Sequence, residues 1–445
     1  MKFKNSFFIF LLFPFLIQAQ NKTWTLQECL QYAEKHNLQL KQSALQIEQG
    51  KIDKSTAKMA YLPTINTNLS TSWNSGLTQN FTTGILENQT TFGGSGSLGS
   101  NLNLFSGFKN RYNYKKTLLE ILSAQYQYKD AVKNIQTQIA SGFVQILLAK
   151  ENLNNSKQQL ENSIKQKERI EELIKAGAAP KGDLIDAKAQ ITNDMLQVVN
   201  AENNYKLAKL ALAQLLELKD FENFSIVEDT SELKIDDRLL YEKPENLFTQ
   251  AQESNYKLKN AETQKNIARY QTNLAKSRLY PSLSGFFNMN TRYSDRDKLG
   301  FGGMVTPADP LWSQVKDNRG VTYGLNLSIP VFNGLTARNQ VKSAILNEER
   351  NNINYDLGRK QLRNDIYKMQ ADLKSAYQSL KATEANLKAQ QKAYDYAMEK
   401  FKVGVMNIFD LNNVKLKYQK AQNQYINAKY QYFLKSKVLE YNIIR

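Results

Sequence analysis

Residues 281–293 open on Pro281 and then alternate. Leu283, Gly285, Phe287, Met289, Thr291 and Tyr293 fall on one side, and Ser284, Phe286, Asn288, Asn290 and Arg292 on the other. Residues 321–331 repeat the pattern: Val321, Tyr323, Leu325, Leu327, Ile329 and Val331 stand against Thr322, Gly324, Asn326 and Ser328. Successive side chains of a strand point to opposite faces, so a period of two means one apolar and one polar face. Strands of about ten residues patterned this way are the signature of a transmembrane β-barrel, although a solvated antiparallel sheet alternates equally well. A fainter version lies upstream, with Ile65, Leu69 and Trp73, then Leu98, Leu102 and Leu104, among Ser, Asn and Gly. The expected strands are therefore about 64–77, 90–105, 281–295 and 320–333. Trp73, Tyr293 and Tyr323 suit an interfacial aromatic belt as well as they suit ordinary strand positions.

The N-terminus favours the membrane reading. Lys2 and Lys4 precede an apolar run from Phe7 to Ile17, followed by Gln18-Ala19-Gln20. This is the layout of a secretory signal peptide, residues 1–19, with cleavage expected after Ala19. No lipobox cysteine follows, and no later stretch offers 18 consecutive apolar residues. If the mature chain spans a membrane, it must do so with strands.

The alternating segments belong to a duplicated unit. Residues 25–63 and 243–281 align without a gap at an offset of 218, placing Asn37, Leu40, Lys41 and Pro63 on Asn255, Leu258, Lys259 and Pro281. Farther on the offset is 227: Phe105-Ser106-Gly107 meets Phe332-Asn333-Gly334, and Gly177, Asp183 and Leu184 meet Gly404, Asp410 and Leu411. The nine-residue difference falls between the Pro and Phe-x-Gly anchors, so one copy carries a longer loop there. The expected organisation is a first repeat over 20–217, a non-helical linker or belt over 218–243, and a second repeat over 244–445.

After each Phe-x-Gly the apolar period changes to seven. Val132, Ile139, Ile146, Leu153, Leu160, Lys167 and Ile174 form one seam; Arg359, Ile366, Leu373, Leu380, Leu387, Tyr394 and Phe401 form its counterpart. A heptad of this length implies a left-handed coiled coil. A helix over 107–176 would extend roughly 105 Å. Beyond Gly177 and Gly404, plausible helix stops, the seams resume as Leu184, Ile191, Val198, Tyr205, Leu212 and as Leu411, Tyr418, Tyr425, Tyr432, Leu439. The second helix of each pair is shorter than its partner. The short helices 38–62 and 256–280 are expected to stack end to end with them, giving two long rods per copy.

Composition removes most enzyme classes. In 445 residues there are 1 Cys and 1 His. Cys29 and His36 cannot build a zinc site, and a catalytic triad would hang on His36 alone. Neither a cofactor nor a metal is expected. The excess of 59 basic over 42 acidic residues gives +17, but the basic residues are scattered among Glu, Gln and Asn, as on solvated helix faces, so no nucleic-acid partner is expected. Four strands cannot close a barrel, whose minimum is about 8. An open edge in lipid leaves backbone groups unsatisfied, so oligomers carrying 8, 12 or 16 strands are required.

Taken together, the chain resembles the TolC family of outer-membrane efflux and secretion channels over essentially all of 24–445. The resemblance rests on Trp24-Thr25-Leu26-x-x-Cys29-Leu30-x-x-Ala33 leading to Asn37, on Tyr61-Leu62-Pro63 with Leu279-Tyr280-Pro281, on the two Phe-x-Gly elements and on the Gly-x5-Asp-Leu turns. It implies a mainly α protein with a membrane β-barrel part, in which a homotrimer shares a 12-stranded barrel in the outer membrane and a coiled-coil α-helical barrel in the periplasm. It also implies a periplasmic adaptor and an inner-membrane transporter as partners, in an efflux or type I secretion system. Outer-membrane lipid would surround the barrel.

The turns at 175–183 and 402–410 are where the rod ends converge. The resemblance carries an acidic pore ring onto Asp410, with Asp183 as its first-copy counterpart, and a second ring position onto Asn413, which is not acidic. The tip tyrosine and basic latch of the family fall on Phe401 and Met406, so a gate held by packing more than by a polar latch is expected. Asp183 and Asp410 suit helix N-caps or first-turn acids equally well. Lys175, Gly177, Lys402, Gly404 and Met406 are the candidate adaptor contacts; turn chemistry alone accounts for the glycines. The rival reading is an exported coiled-coil scaffold or adhesin without a pore, which would need neither alternating strands nor a duplicated strand block.

Overall fold

The computed structural model describes residues 23–79, 85–221, 223–227, 238–299, 302 and 304–443. The expected signal peptide lies outside the described residues. In chain order the elements are β1 (Thr23–Trp24), α1 (Leu26–His36), α2 (Leu38–Met59), β2 (Thr64–Gln79), β3 (Leu86–Ser106), α3 (Lys109–Lys175), α4 (Lys181–Leu215), β4 (Ser225–Ile226) and α5 (Arg238–Tyr241). They continue as α6 (Pro244–Ser254), α7 (Tyr256–Ser277), β5 (Ser282–Ser294), β6 (Lys298–Leu299), β7 (Val305–Thr306), α8 (Leu311–Asp317), β8 (Gly320–Ser328), α9 (Thr336–Lys402) and α10 (Ile408–Ile443). The duplication is visible in the bounds. First-residue numbers differ by 218 from α1 to α6 (26, 244) and α2 to α7 (38, 256), and by 227 from α3 to α9 (109, 336) and α4 to α10 (181, 408).

The chain divides into two compact units, one of Met1–Gln42, Lys129–Asn255 and Gln361–Arg445, the other of Ser43–Tyr128 and Tyr256–Lys360. The second holds a four-stranded antiparallel sheet in the order β2-β3-β5-β8. Its register sorts the residues by polarity. Leu69 lies opposite Gly96, Leu98 opposite Met289, and Met289 opposite Val321; Ile65, Phe287, Leu325 and Leu327 share that face by the two-residue period. Asn68, Ser70, Ser97, Asn288, Asn290 and Asn326 take the other. The sheet core is thus one-sided, as expected of barrel strands. β3 and β5 are inner strands that join the copies, while β2 and β8 each have only one partner among the described residues.

The strands depart from expectation in two places. β8 stops at Ser328 rather than near 333, because Pro330 has no N–H for the ladder. The fainter first-copy strands are the longer ones, 16 and 21 residues against 13 and 9. Small residues blur the hydropathy pattern without weakening backbone pairing.

In the first unit the heptad seams become the core. Ile139, Ile146 and Leu153 of α3, Leu212 of α4, Ile366 and Leu373 of α9, and Leu411 and Leu439 of α10 are buried. Ala187, Ala208, Ala421 and Ala428 are buried too, as small residues at close helix crossings should be. Asn37 donates from Nδ2 to the Leu215 carbonyl at 3.1 Å, so the start of α2 follows on the end of α4. A capping box opens α1: the Thr25 hydroxyl accepts from Glu28 N–H at 3.1 Å and Glu28 Oε2 accepts from Thr25 N–H at 2.9 Å. The 218–243 segment is not wholly non-helical. It contains α5, and its β4 pairs in parallel with β1.

Candidate functional site at the hairpin tips

Both hairpins turn by the same local chemistry. Gly177 N–H bonds the Ile174 carbonyl at 3.0 Å and Ala178 N–H the Leu173 carbonyl at 2.8 Å; Gly404 and Val405 repeat this on Phe401 and Lys400 at 3.1 and 2.9 Å. These are Schellman closures, in which the glycine takes a left-handed conformation, here φ +73 and +77. A Cβ at either glycine would meet nothing within 4 Å. Backbone conformation, not space, selects glycine at these tips.

The helices that follow start differently. α4 begins after Pro180, which offers no side-chain cap. Its Asp183 is half-buried, and its carboxyl is pushed above the usual range by burial and then by the neighbouring Asp186. α10 begins after Asn407, whose Oδ1 accepts from Asp410 N–H at 2.8 Å while its Nδ2 donates to Asp410 Oδ2 at 2.9 Å. Asp410 is thereby tied to the first turn of its own helix, exposed, with Asn413 exposed one turn on.

Phe401 does not stand free. It is buried with Ile170, Ala187, Ala397, Ile408 and Leu411, with Met406 packed against them. That cluster takes residues from α3, α4, α9 and α10 and so joins the two hairpins of one chain. Lys175 and Lys402 are exposed, and Lys402 pairs with Glu399 at 2.6 Å. Val403, Val405 and Phe409 add exposed apolar surface to the second tip.

Packing is accompanied by a polar link that the sequence reading missed. Lys415 of α10 donates from Nζ to the Ser163 hydroxyl of α3 at 2.7 Å. Ser163 donates to Asp194 Oδ2 of α4, and Gln190 donates to Asp194 Oδ1 at 2.9 Å. Ser163, Asp194 and Lys415 are all buried. Burial holds the Lys415 ammonium below the ordinary lysine value, with the Asp194 charge pulling the other way. The signal was available: Ser163, Asp194 and Lys415 lie three or four residues after Leu160, Ile191 and Leu411, on the seam side of their helices.

A family model described as "Outer membrane efflux protein" matches residues 29–217 and again 247–439. The chain belongs to that family. Its two matched segments are the two copies, and its members are channel proteins of the outer membrane rather than enzymes, with their helical part in the periplasm. Among curated relatives, the "Outer membrane protein TolC" of Vibrio cholerae serotype O1 is 22% identical over 320 residues, 70% of this chain and 68% of that protein. The fold matches that of VceC from Vibrio cholerae with a TM-score of 0.75 at 16% identity, over 94% of this chain and 95% of that one. It matches the Campylobacter jejuni CmeC outer membrane channel at 0.71 and 19%, over 95% and 85%. The described residues contain no group of three or more His, Cys, Asp and Glu side chains placed to hold a metal ion. No described helix is long and apolar enough to cross a membrane.

Proposed function

We propose that three copies of this chain close one 12-stranded barrel and form a passive exit duct, gated at the hairpin tips and docked there by a periplasmic adaptor coupled to an inner-membrane transporter. The carrying observation is a mismatch between two equivalent glycines. A Cβ on Gly107 would lie 2.4 Å from the Ser277 carbonyl and 2.9 Å from Tyr280 Cβ, whereas one on Gly334 meets nothing within 4 Å. Both glycines follow a strand at φ near +60. In the duplicated numbering Ser277 and Tyr280 correspond to Met59 and Leu62, which are 49% and 57% exposed. The contact made inside the chain at the β3–β5 junction is thus open at β8 and at β2. A neighbouring copy, offering its Met59–Leu62 turn to Gly334 and its β2 to β8, completes it and removes both free edges.

In this reading Asp410 and Asp183, with Asn413, ring the constriction, and Phe401 with Met406 sets the packing that holds the hairpins closed. The Ser163–Asp194–Lys415 link ties the same helices together. Lys175, Gly177, Lys402 and Gly404, with Val403 and Val405 beside them, form the adaptor surface. The test is the native mass of the chain extracted from outer membranes in mild detergent, followed by single-channel conductance. A trimer whose conductance rises in Asp410→Ala fits the reading; a monomer or dimer in that extract rejects it. Gly404→Arg should leave the trimer intact and abolish export.

A further inference from the structure

Away from the tips, α8 builds a cavity that the channel reading leaves unused. β8 begins at Gly320, opposite Asn290, while β5 runs on to Ser294. α8 takes the edge β8 leaves bare. Gln314 accepts from Ser294 N–H at 3.1 Å and donates to the Ser294 carbonyl at 2.8 Å, in the manner of a strand neighbour. Asn318 Nδ2 donates to the Arg292 carbonyl at 2.9 Å, and the Thr291 hydroxyl to the Val315 carbonyl at 2.8 Å. With Gln314 and Asn318 committed to the edge, Trp312, Lys316 and Arg319 line a cavity of about 420 Å³. Trp312 and Lys316 stand one turn apart on one side of α8, and Arg319 follows in the link from its C-cap Asn318 to β8.

Leu69, Leu98 and Met289, on the apolar face of the sheet, form the cavity's apolar floor, and uncharged residues such as Thr67, Ser97, Asn290 and Thr291 complete the walls. No carboxylate is among the lining residues, so two cations stand beside a greasy floor with nothing in the cavity to neutralise them. Trp312 is 79% exposed. The level of the cavity in the membrane follows from the strands. The rings of Trp73, Phe92 and Tyr293 lie side by side across β2, β3 and β5 at 4.8 and 5.8 Å, an aromatic girdle. From Leu283 to Tyr293 a strand tilted about 40° rises roughly 25 Å, the height of an outer-membrane apolar band. The other strand ends lead into α2, α3, α7 and α9, the periplasmic side. Lys316 and Arg319 therefore stand at the outer interface, with hydrocarbon beneath them.

We propose that this cavity binds a phosphorylated, acylated glycolipid of the outer leaflet. One acyl chain lies against Leu69, Leu98, Met289 and Trp312, and a head-group phosphate sits between Lys316 and Arg319. An aromatic ring at the head-group level and paired cations above an apolar slot are the two features such a lipid needs. The zwitterionic phospholipid phosphatidylethanolamine carries its own ammonium and gains less from two cations.

The test uses the channel extracted in mild detergent and exchanged free of lipid, with bound lipid counted by native mass spectrometry. Diphosphoryl lipid A, its dephosphorylated form and phosphatidylethanolamine are titrated in turn. The native chain is expected to prefer diphosphoryl lipid A by roughly tenfold or more, and Lys316→Gln/Arg319→Gln to lose the preference. Lys316→Arg/Arg319→Lys, which keeps both cations, retains it, as does the control Lys51→Gln/Lys54→Gln on α2. Trp312→Ala weakens the phosphorylated and dephosphorylated forms alike. Equal binding of phosphatidylethanolamine and lipid A by the native chain, or an undiminished preference in the double glutamine variant, would overturn the proposal.

Discussion

The two copies of the repeat match in their helices and part company in their strands. α1 and α6 are both 11 residues long, α2 and α7 both 22, α3 and α9 both 67. The strands are 16 and 21 residues in one copy, joined through 80–85, and 13 and 9 in the other, joined through 295–319. A heptad seam buried over many turns tolerates no change of length, because one inserted residue rotates every later side chain off the seam by about 100°. A strand end beyond the apolar band has no such partner and is free to give way to a helix. The copies therefore diverge where packing permits, and α8 occupies the place of that divergence.

The largest expected effect lies at the paired glycines. Gly107→Val places a side chain on the Ser277 backbone in a left-handed conformation, and should cost about 4 kcal/mol of chain stability in chemical denaturation. Gly334→Val shares the left-handed strain but meets open space within the chain, so it should cost the chain less, leave the monomer helical by circular dichroism and remove the trimer. Equal loss of chain stability in both would break the comparison.

Next comes the buried link at the tips. Asp194→Leu strips Lys415 of its counter-charge and should destabilise by about 3 kcal/mol. Adding Lys415→Met should recover part of that loss, since the uncompensated charge goes with it. A double variant as unstable as the sum of the two single ones would show that the groups act separately.

The two helix starts differ by one cap. Asn407→Ala should cost about 1 kcal/mol and speed amide exchange in the first turn of α10. Pro180→Ala should leave α4 within about 0.5 kcal/mol, no side-chain bond being lost. The smallest effect is a pH dependence confined to the first tip. The Asp183 carboxyl is raised by burial and Asp186, so its neutral form fits the folded tip better. Its contribution is complete below the ordinary carboxylate value and disappears as pH rises through the raised one. Amide exchange at 176–186 should quicken across that window, and Asp183→Asn should flatten the change.

Much of this was legible in advance. The offset of 218 turning to 227 placed α6, α7, α9 and α10 from their first-copy partners, because a duplicated pattern repeats its element bounds. Period two placed β5 and the start of β8, and Gly177 and Gly404 marked both turns. Phe401 was harder. Its position in the motif said gate, while its burial beside Ile170 and Ile408 depends on which helices meet. Lys415 was hidden by its type: in a Lys-rich helix, one lysine on the seam side looks like its solvated neighbours until α3 and α4 close over it. α8 had no period long enough to read, and its Gln314 and Asn318 acquire a role only from the bare edge of β5.

The sequence by itself determined what is periodic: the duplication, the heptad rods, the alternating strands and the glycines of the tips, because each repeats over a few residues along one chain. Only the tertiary structure decided the pairings between distant segments. It brought β3 of one copy onto β5 of the other, set Gly107 against Ser277 while leaving Gly334 open, and sealed a lysine, a serine and an aspartate from three helices into one link. A buried charge such as Lys415 is tolerated where partners from other elements meet it, and the local pattern of no single element specifies where that meeting occurs.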